Sequence, residues 1–358
     1  MKEIGKLRQR IDEIDDQILK LINKRLLAAR QIGEIKNRSG VAVVDSMRES
    51  QIYQRLSLLN GGPLKDNALH RVFREVIAAG RGIQVPGDKA DVPPLYIVVG
   101  NPIGHSLSPV MHTSALAHSG LDGCYHAFRV ENIAAAVDGI RGLGIRGASI
   151  TIPHKIAVLP YLDEVDSMAA DIGAVNTVFN KDGVLYGYNS DWAGAVKALS
   201  EKTVIKGKKV AVIGAGGAAR AIGFGLKQEG GIVTIMNRTR SRGEKLARDL
   251  GCRFLPLAKI KELPFHIVVN ATPVGMMPEV GRMPLTPRLL EPHMVVMDIV
   301  YSPLKTRFLK EAESIGCTIV DGLSMFVHQG AIQFELWTNK KAPIDVMRRV
   351  VLEELKSK

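Results

Sequence analysis

The hydrophobic positions of the first part of the chain repeat with the period of an α-helix. Between Leu7 and Ile35 the spacing alternates four and three residues, as shown by Leu7, Ile11, Ile14, Ile18, Leu21, Ile32 and Ile35. This spacing predicts one amphipathic helix about 45 Å long.

Two shorter helices are predicted after this one. The first begins at Asp45 or Ser46 and runs towards Leu59, and the second runs from about Leu64 to Gln84. Three helices, one of them very long, do not easily bury the apolar stripe of the first helix within one chain. We therefore expect a dimer formed through the helical domain.

The pattern changes after a segment rich in proline, glycine and charge, from Val85 to Pro94, which is predicted to be a linker. Beyond it, short apolar runs alternate with helical stretches. The predicted strands are Leu95 to Val99, Gly147 to Ile152, Ala174 to Phe179, Lys209 to Ile213, Ile232 to Met236, Ile267 to Asn270 and Val295 to Ile299. This alternation predicts an α/β architecture with mostly parallel sheets, so the chain is expected to be multidomain, all-α first and α/β afterwards.

Composition narrows the class of protein. A chain of 358 residues is expected to form two or three domains. Its net charge of +12 comes from basic residues interspersed with acids, without an RNA-binding motif or zinc finger, which favours small anionic substrates over nucleic acid. No apolar run approaches the roughly 18 residues of a membrane span, and the N-terminus does not resemble a signal peptide. Three distant cysteines without a ligand cluster indicate a reduced cytoplasm and no bound metal.

A dinucleotide-binding turn follows the strand from Lys209 to Ile213. The sequence Gly214-Ala-Gly216-Gly217-Ala218-Ala219 opens a predicted helix. Glycines at these positions let the backbone turn tightly and approach a pyrophosphate at the helix N-terminus.

The segment after the next strand indicates which dinucleotide binds. NAD enzymes usually place an acid here, but this chain has Asn237-Arg238-Thr239-Arg240-Ser241-Arg242. Arginine suits a 2′-phosphate, so Asn237, Arg238, Thr239 and Arg242 are predicted to select NADP. The alternative is an exposed loop whose arginines face solvent.

Polar clusters follow several strands of the α/β part. Ser106 and Ser108 lie in a loop after the first strand and can both hydrogen-bond one carboxylate. Thr151 and Lys155 follow another strand, and Asn176 and Asp191 come later in the chain. Open α/β sheets build their ligand sites at such strand ends. Plain polar turns, helix caps at Ser108 and Asp191, and a surface lysine at Lys155 are the alternatives.

In order and spacing, these motifs resemble the shikimate dehydrogenase family over about residues 95 to 358. Further matching segments are Asn270 to Gly275, Asp298 to Tyr301 and Asp321 to Gln329. The resemblance implies that Ser106, Ser108 and Tyr301 hold the substrate carboxylate, that Thr151, Asn176 and Gln329 contact ring hydroxyls, that Lys155 and Asp191 form the catalytic pair, and that Gly322 and Met325 contact the cofactor. It also implies a substrate domain of residues 95–194 plus 323–358 and a Rossmann NADP domain of residues 195–322.

The long helix carries cations where apolar residues are expected. Continuing the stripe four residues beyond Leu21 places Arg25 on it, and Lys36 lies only about 20° away around the helix. Arg8 lies roughly 100° from Arg25 and points elsewhere, towards another subunit. Burying a charged side chain on the apolar face of a helix costs free energy unless the charge is paired. The alternative is that these side chains extend to solvent.

Over residues 4 to 85 the pattern resembles the all-helical class of chorismate mutase, with a domain expected at residues 1–90. The positions that match the active site of that family are Arg8, Arg25, Lys36, Asp45, Arg48, Glu49 and Gln84. The resemblance implies that the arginines and Lys36 bind the two substrate carboxylates, that Lys36 and Gln84 hydrogen-bond the ether oxygen, and that Glu49 binds the ring hydroxyl. Gly80 stands where the family usually has serine. A capping box, Ser46-x-x-Glu49, and a helix cap at Asp45 are the alternatives.

The two resemblances together imply a bifunctional enzyme. One reaction would be the NADPH-dependent reduction of 3-dehydroshikimate to shikimate, and the other the rearrangement of chorismate to prephenate. The competing hypothesis is a dehydrogenase whose helical domain only senses chorismate or prephenate.

Overall fold

The computed structural model describes residues 2–39, 46–83, 93–262 and 264–357. The chain divides into two compact units, Met1–Pro93 and Pro94–Lys358. Most of the predicted linker, residues 85–92, lies outside the described residues.

The first unit is helical, as the periodicity predicts. Its helices are α1 (Lys2–Arg38), α2 (Ser46–Leu59) and α3 (Asp66–Gly82). Helix α3 packs against both α1 and α2. The α1 prediction is confirmed, and the starts of α2 and α3 fall within two residues of their predicted positions.

The apolar stripe of α1 is exposed within one chain. Its members are 46% to 66% exposed: Leu7, Ile11, Ile14, Ile18, Leu21, Ile32 and Ile35. Leu69 and Ile77 of α3 are, by contrast, buried. Covering large apolar side chains on one helix face with another surface is favourable, because it removes them from water.

The second unit begins with a mixed six-stranded sheet. Its strands are β1 (Leu95–Gly100), β2 (Cys124–Arg129), β3 (Gly147–Ile150), β4 (Glu164–Val165), β5 (Thr177–Lys181) and β6 (Val184–Tyr188). They lie in the order β2-β1-β3-β5-β6-β4. β1 is parallel to β2 and β3, whereas β5 is antiparallel to β3 and β6.

A second six-stranded sheet follows, and all its strand pairs are parallel. Its strands are β7 (Lys209–Ile213), β8 (Ile232–Asn237), β9 (Arg253–Pro256), β10 (Ile267–Asn270), β11 (Val295–Asp298) and β12 (Thr318–Val320). The order β12-β11-β10-β7-β8-β9 reverses direction at β7. Such a reversal opens the crevice in which doubly wound sheets bind ligands.

Helices connect the strands and cover the sheets. They are α4 (Ser108–His118), α5 (Ile133–Gly142), α6 (Ser167–Ile172), α7 (Asp191–Ser200), α8 (Gly217–Gln228), α9 (Arg240–Leu250), α10 (Arg307–Ile315), α11 (Gly322–Thr338) and α12 (Ile344–Lys356). Short 3₁₀ turns add Leu159–Tyr161, Leu257–Glu262 and Pro287–Leu289. Within the ranges described, none of the helices combines the length and the apolar character of a membrane span.

Helix α11 is fixed against the first sheet by an indole ring. A Cβ atom added at Gly147 of β3 would lie 2.5 Å from Trp337 Nε1, so only glycine leaves room for this ring. Trp337 Nε1 donates a hydrogen bond of 3.0 Å to the Val178 carbonyl. Because α11 also packs closely on α7, its first turns lie next to the strand ends that carry the polar clusters.

The structure departs from the predicted strands in both sheets. β2, β4, β6, β9 and β12 were not predicted, and β5 begins at Thr177 rather than Ala174. β2 is an edge strand in which Tyr125 is buried but four residues are exposed, so it lacks the apolar signal of a central strand. The prediction of parallel pairing holds for the second sheet, whereas the first is mixed.

Candidate functional site

The glycine-rich turn lies between β7 and α8. Gly214 has φ +130°, and a Cβ atom there would lie 2.9 Å from the Ala271 carbonyl oxygen. A Cβ at Gly216, by contrast, would meet nothing within 4 Å. Helix α8 begins at Gly217, and the first backbone N–H groups of a helix have no partner within it. The arrangement suits a pyrophosphate at the helix N-terminus.

The arginine-rich segment forms the turn from β8 into α9. Asn237 Nδ2 donates to the Thr239 carbonyl over 2.9 Å and closes the turn. Arg240 forms an ion pair of 2.7 Å with Glu244 one turn further along α9. Arg238 and Arg242 are exposed on either side of it. The turn carries cations and no acid, which fits a 2′-phosphate better than a free ribose hydroxyl.

Lys155 and Asp191 meet in a nearly buried ion pair. Lys155 Nζ lies 2.5 Å from Asp191 Oδ2, and their side chains are only 13% and 6% exposed. Asn176 Nδ2 donates to the other carboxylate oxygen over 2.8 Å. Lys155 is therefore not a surface lysine, and the Asp191 carboxylate binds side chains; Ser190 occupies the cap position of α7.

This ion pair adjoins the dinucleotide turn. A Cβ atom added at Gly217 would lie 3.0 Å from Lys155 Cβ and 3.3 Å from Lys155 Cδ. The backbone of the turn thus packs against the aliphatic part of Lys155. The Lys155–Asp191 pair and the glycine-rich turn therefore lie side by side.

The serine pair lies where the chain passes from β1 into α4. The Ser108 backbone N–H donates to Ser106 Oγ over 3.3 Å, and Ser108 is buried whereas Ser106 is half-buried. The cap position of α4 is occupied by Leu107, so Ser108 is not the helix cap. Burial raises the pKa of Tyr301, and the nearby Leu107 backbone lowers it. Tyr301 thus lies near the loop that carries the serine pair.

Asn176 and Gln329 also lie together. Gln329 Oε1 is 3.5 Å from Asn176 Nδ2, and Gln329 Nε2 donates to the Phe326 carbonyl over 2.8 Å. A Cβ atom at Gly194 of α7 would lie 2.9 Å from Gln329 Cβ, so a glycine allows this close helix contact. Thr151 is half-buried directly after β3, and its backbone N–H pairs with Val99.

A buried aspartate organises the end of the second sheet. Asp298 accepts hydrogen bonds from Asn270 Nδ2, the Val300 backbone N–H and Thr306 Oγ1. Burial has the largest effect on the pKa of the Asp298 carboxyl and raises that pKa to about 6. These bonds fix the turn that leads to Tyr301. Close by, a Cβ at Gly322 would lie 2.5 Å from the Ile299 carbonyl oxygen.

Met325 follows in the first turn of α11 and is buried. Its carbonyl oxygen lies 3.1 Å from the position of a Cβ at Gly194. Helix α11 therefore carries Met325 and Gln329 one turn apart on the face that packs against α7.

Several polar residues next to this site were not predicted from the sequence. Ser149, Thr177 and Gln333 are buried; Ser149 donates to Gln333, Gln333 donates to Thr177, and Thr177 donates to Asn176. The available signal was that Gln333 lies four residues after Gln329 and so shares its helix face.

The helical unit contains a separate cluster around Arg25. Arg25 Nη1 donates to the Val76 carbonyl of α3 over 3.0 Å, and its side chain is half-buried. A Cβ atom at Gly80 would lie 3.1 Å from the same nitrogen. Arg25 thus lies against α3 rather than snorkelling to solvent, and the missing side chain at Gly80 gives it room.

The other predicted residues of this unit are not all brought to Arg25. Arg8 is exposed, and 17 residues of α1 separate it from Arg25, about 25 Å along the axis. Lys36 and Glu49 are half-buried, and Arg48 is exposed with Nη1 3.5 Å from Gln51 Oε1. Asp45 and Gln84 lie outside the described residues, so the alternative of a helix cap at Asp45 stays open.

The matches to protein families divide the chain between residues 85 and 98, and the two compact units are divided within the same interval. Residues 98–178 match the model of the shikimate dehydrogenase substrate binding domain. Residues 197–277 match the shikimate / quinate 5-dehydrogenase model, and residues 322–352 match the shikimate 5′-dehydrogenase C-terminal domain. Residues 7–85 match chorismate mutase type II.

Individual relatives cover the second unit. The shikimate dehydrogenase (NADP(+)) of Geobacillus kaustophilus is 44% identical over 272 residues, which are 73% of this chain and 99% of that protein. The enzyme of the same name from Pyrococcus abyssi is 44% identical over 266 residues, 73% of this chain and 98% of that protein. The crystal structure of shikimate 5-dehydrogenase from Thermus thermophilus in complex with NADP(H) and shikimate superposes with a TM-score of 0.68 at 38% identity, covering 73% of this chain and 99% of the other.

Both the dehydrogenase match and the separate helical match agree with the fold described above. The chain belongs to the shikimate dehydrogenase family and carries a chorismate mutase type II domain on the N-terminal side of its dehydrogenase part.

Proposed function

We propose that this chain is a bifunctional enzyme that reduces 3-dehydroshikimate to shikimate with NADPH and rearranges chorismate to prephenate. The observation that carries the first activity is the Lys155–Asp191 pair packed against Gly217 of the dinucleotide turn. The observation that carries the second is Arg25 held against α3 in a helical unit that matches chorismate mutase type II.

The chain offers a complete set of groups for NADP. Gly214, Gly216, Gly217 and Ala218 would cradle the pyrophosphate, and Asn237, Arg238, Thr239 and Arg242 would bind the adenosine 2′-phosphate. Gly322 and Met325 would contact the nicotinamide end. When bound, NADPH supplies the hydride for the reduction.

Lys155 would provide the proton. As the keto carbon becomes tetrahedral, its oxygen gains negative charge, which the Lys155 ammonium stabilises and then protonates from Nζ. Asp191 Oδ2 holds Nζ in place at 2.5 Å, and Asn176 occupies the second carboxylate oxygen. Because both of its carboxylate oxygens are engaged, Asp191 is held in a single orientation and orients Lys155 in turn.

The substrate would be oriented from both ends. Ser106, Ser108 and Tyr301 bind its carboxylate, and Thr151, Asn176 and Gln329 bind its ring hydroxyls. Each of these groups donates hydrogen bonds of the kind that carboxylates and hydroxyls accept. Quinate, which carries the same carboxylate and ring hydroxyls, is an alternative substrate for this site.

The mutase reaction is an intramolecular rearrangement of a dianion. Arg25, Arg48 and Lys36 would bind the two carboxylates and hold the compact conformer, with Asp45 beside them. Lys36 and Gln84 would stabilise the charge on the breaking ether bond, and Glu49 would bind the ring hydroxyl. Positioning and preorganised cations suffice to lower such a barrier.

A homodimer would complete this mutase site. Arg8 lies about 25 Å along α1 from Arg25, too far to serve the same pocket. In a dimer that covers the exposed stripe of α1, Arg8 of one chain would reach the pocket of the other. The same contact would bury side chains that are 46% to 66% exposed in one chain.

The domain limits follow from this assignment. Residues 1–90 form the mutase domain, residues 95–194 plus 323–358 the substrate domain, and residues 195–322 the NADP domain. The three cysteines are free thiols, which suits the reducing cytoplasm as the compartment.

The experiment that tests this function uses the purified full-length chain. We expect it to oxidise NADPH in the presence of 3-dehydroshikimate and, in a separate assay, to convert chorismate to prephenate. Dehydrogenase activity without chorismate turnover, combined with chorismate binding, would instead support a sensing domain. Absence of the first activity would contradict the assignment of the Lys155 site.

A further inference from the structure

A series of buried hydrogen bonds connects strands β2 and β3 of the first sheet with helix α11. The Tyr125 hydroxyl donates to Ser149 Oγ over 2.6 Å, and Ser149 Oγ donates to Gln333 Oε1 over 2.8 Å. All three residues are at most 6% exposed. Tyr125 also lies near Ser108, whose side chain lowers the Tyr125 pKa against the larger raising effect of burial.

Gln333 continues this series towards the catalytic pair. Its Nε2 donates to Thr177 Oγ1 over 2.9 Å and to the Asn176 backbone carbonyl over 3.2 Å. Thr177 Oγ1 then donates to Asn176 Oδ1 over 2.7 Å. Asn176 completes the path with its bond of 2.8 Å to Asp191 Oδ1.

The donors and acceptors along this path have one consistent direction. Because Ser149 donates to the carbonyl oxygen of Gln333, the amide NH₂ group of Gln333 faces Thr177. A hydroxyl that accepts this bond uses its own proton on Asn176 Oδ1, where the Ser190 backbone N–H also donates over 2.7 Å. Asn176 then presents its NH₂ group to Asp191. The reverse orientation would place a carbonyl oxygen against the carboxylate.

We propose that Gln333 is a positioning residue for the dehydrogenase: through Thr177 it fixes the side-chain amide of Asn176, which in turn holds Asp191 in the orientation that binds Lys155. Gln333 is 2% exposed and its polar atoms are all engaged within the fold, so it acts through these neighbours and not on the substrate. Chains of aligned hydrogen bonds strengthen each member, and this one ends on a charged acceptor. The inference rests on the proposed dehydrogenase function.

The test compares shikimate oxidation by variants of the full-length chain. Gln333→Met keeps a long unbranched side chain but removes the amide, and Thr177→Val removes the hydroxyl between Gln333 and Asn176. We expect each to lower kcat roughly 10- to 100-fold, because small displacements of catalytic groups have effects of this size. KM for NADP should stay within about twofold of wild type, because neither side chain lies at the nucleotide turn.

Two further variants separate positioning from stability. Thr177→Ser retains the hydroxyl and should recover most of the kcat lost in Thr177→Val. Trp337→Phe removes another buried side-chain hydrogen bond between α11 and the sheet, to Val178, without touching Asn176. It should lower the melting temperature while kcat of the folded enzyme stays close to wild type.

The outcomes are distinct. If folded Gln333→Met keeps a kcat within twofold of wild type, or if Trp337→Phe loses as much kcat, the inference is overturned. If Gln333→Met does not fold, the Thr177→Val and Thr177→Ser pair decides, and equal kcat values for that pair overturn it. A wild-type chain that fails to oxidise shikimate with NADP would instead contradict the proposed function.

Discussion

At the scale of single residues, the proposed dehydrogenase site contains a lysine held by its neighbours. Asp191 and the backbone of Gly217 confine Lys155 from two sides, and Asn176 fixes Asp191. An ammonium group restrained in this way needs little reorganisation when negative charge develops beside it.

Replacing this lysine should affect turnover more than binding. Lys155→Ala is expected to lower kcat for shikimate oxidation by roughly 10² to 10⁴, the usual contribution of a general acid or base. Lys181→Ala, at an exposed lysine at the end of β5, is the matched control and should keep wild-type kcat. Steady-state kinetics decide, and a near wild-type kcat in Lys155→Ala would require another proton donor.

The proposed preference for NADPH also rests on single residues. Arg242→Ala should raise KM for NADPH, since losing a charge-assisted bond to phosphate costs about 1.5–3 kcal/mol, and should leave KM for NADH unchanged. Arg240→Ala is the control, because Arg240 pairs with Glu244 within α9. Equal efficiency of the wild type with NADPH and NADH would contradict this role of the turn.

A substitution at Gly80 tests whether mutase activity depends on the position of the Arg25 side chain against α3. A methyl group at Gly80 would lie 3.1 Å from Arg25 Nη1, so Gly80→Ala should shift the guanidinium and weaken its hydrogen bond to Val76, lowering mutase kcat/KM roughly 2- to 10-fold. Gly5→Ala is the control, because a Cβ there meets nothing within 4 Å. Both changes favour helix by about 1 kcal/mol, so a loss of activity in Gly80→Ala alone cannot come from weaker helix formation. Unchanged activity would show that Arg25 accommodates a side chain.

At the scale of elements, the sequence predicts best where one periodicity runs uninterrupted. Helix α1 and the strands β7 and β10 have their predicted bounds or nearly so, because a long amphipathic stripe and fully buried strands have strong patterns. β2 was missed because four of its six residues are exposed at the sheet edge, and β6 because only two of its five residues are buried, so neither has the apolar run of a central strand. The site residues that match strand-end motifs were predictable, whereas Gln333 and Ser149 were not, since their partners come from distant parts of the chain.

The exposed stripe of α1 leads to a prediction about subunit exchange. Arg8→Ala and Arg25→Ala should each nearly abolish mutase activity, because each removes a cation that binds the dianion. A mixed dimer of the two variants contains one site with both defects and one with neither. Refolding the two together should therefore restore activity, towards half of wild type in the mixed dimers.

Dehydrogenase activity of the same samples serves as the control and should remain at the wild-type level. Verified mixed dimers without recovery of mutase activity would mean that Arg8 does not complete the site of its partner.

At the scale of the whole molecule, two chemistries share one chain but no residues. The proposed mutase residues lie in the first compact unit and the proposed dehydrogenase residues in the second. Chorismate lies several steps beyond shikimate, so neither reaction uses the product of the other directly. Each activity should therefore respond only to changes in its own unit.

The most direct measurement of the central claim is a crossed assay of three full-length proteins: the wild type, Lys155→Ala and Arg25→Ala. Both activities are measured on each preparation. We predict that the wild type has both, that Lys155→Ala loses shikimate oxidation but keeps chorismate turnover, and that Arg25→Ala shows the reverse. A wild-type chain without chorismate turnover, or a variant that loses both activities while remaining folded, would contradict the claim of two independent sites.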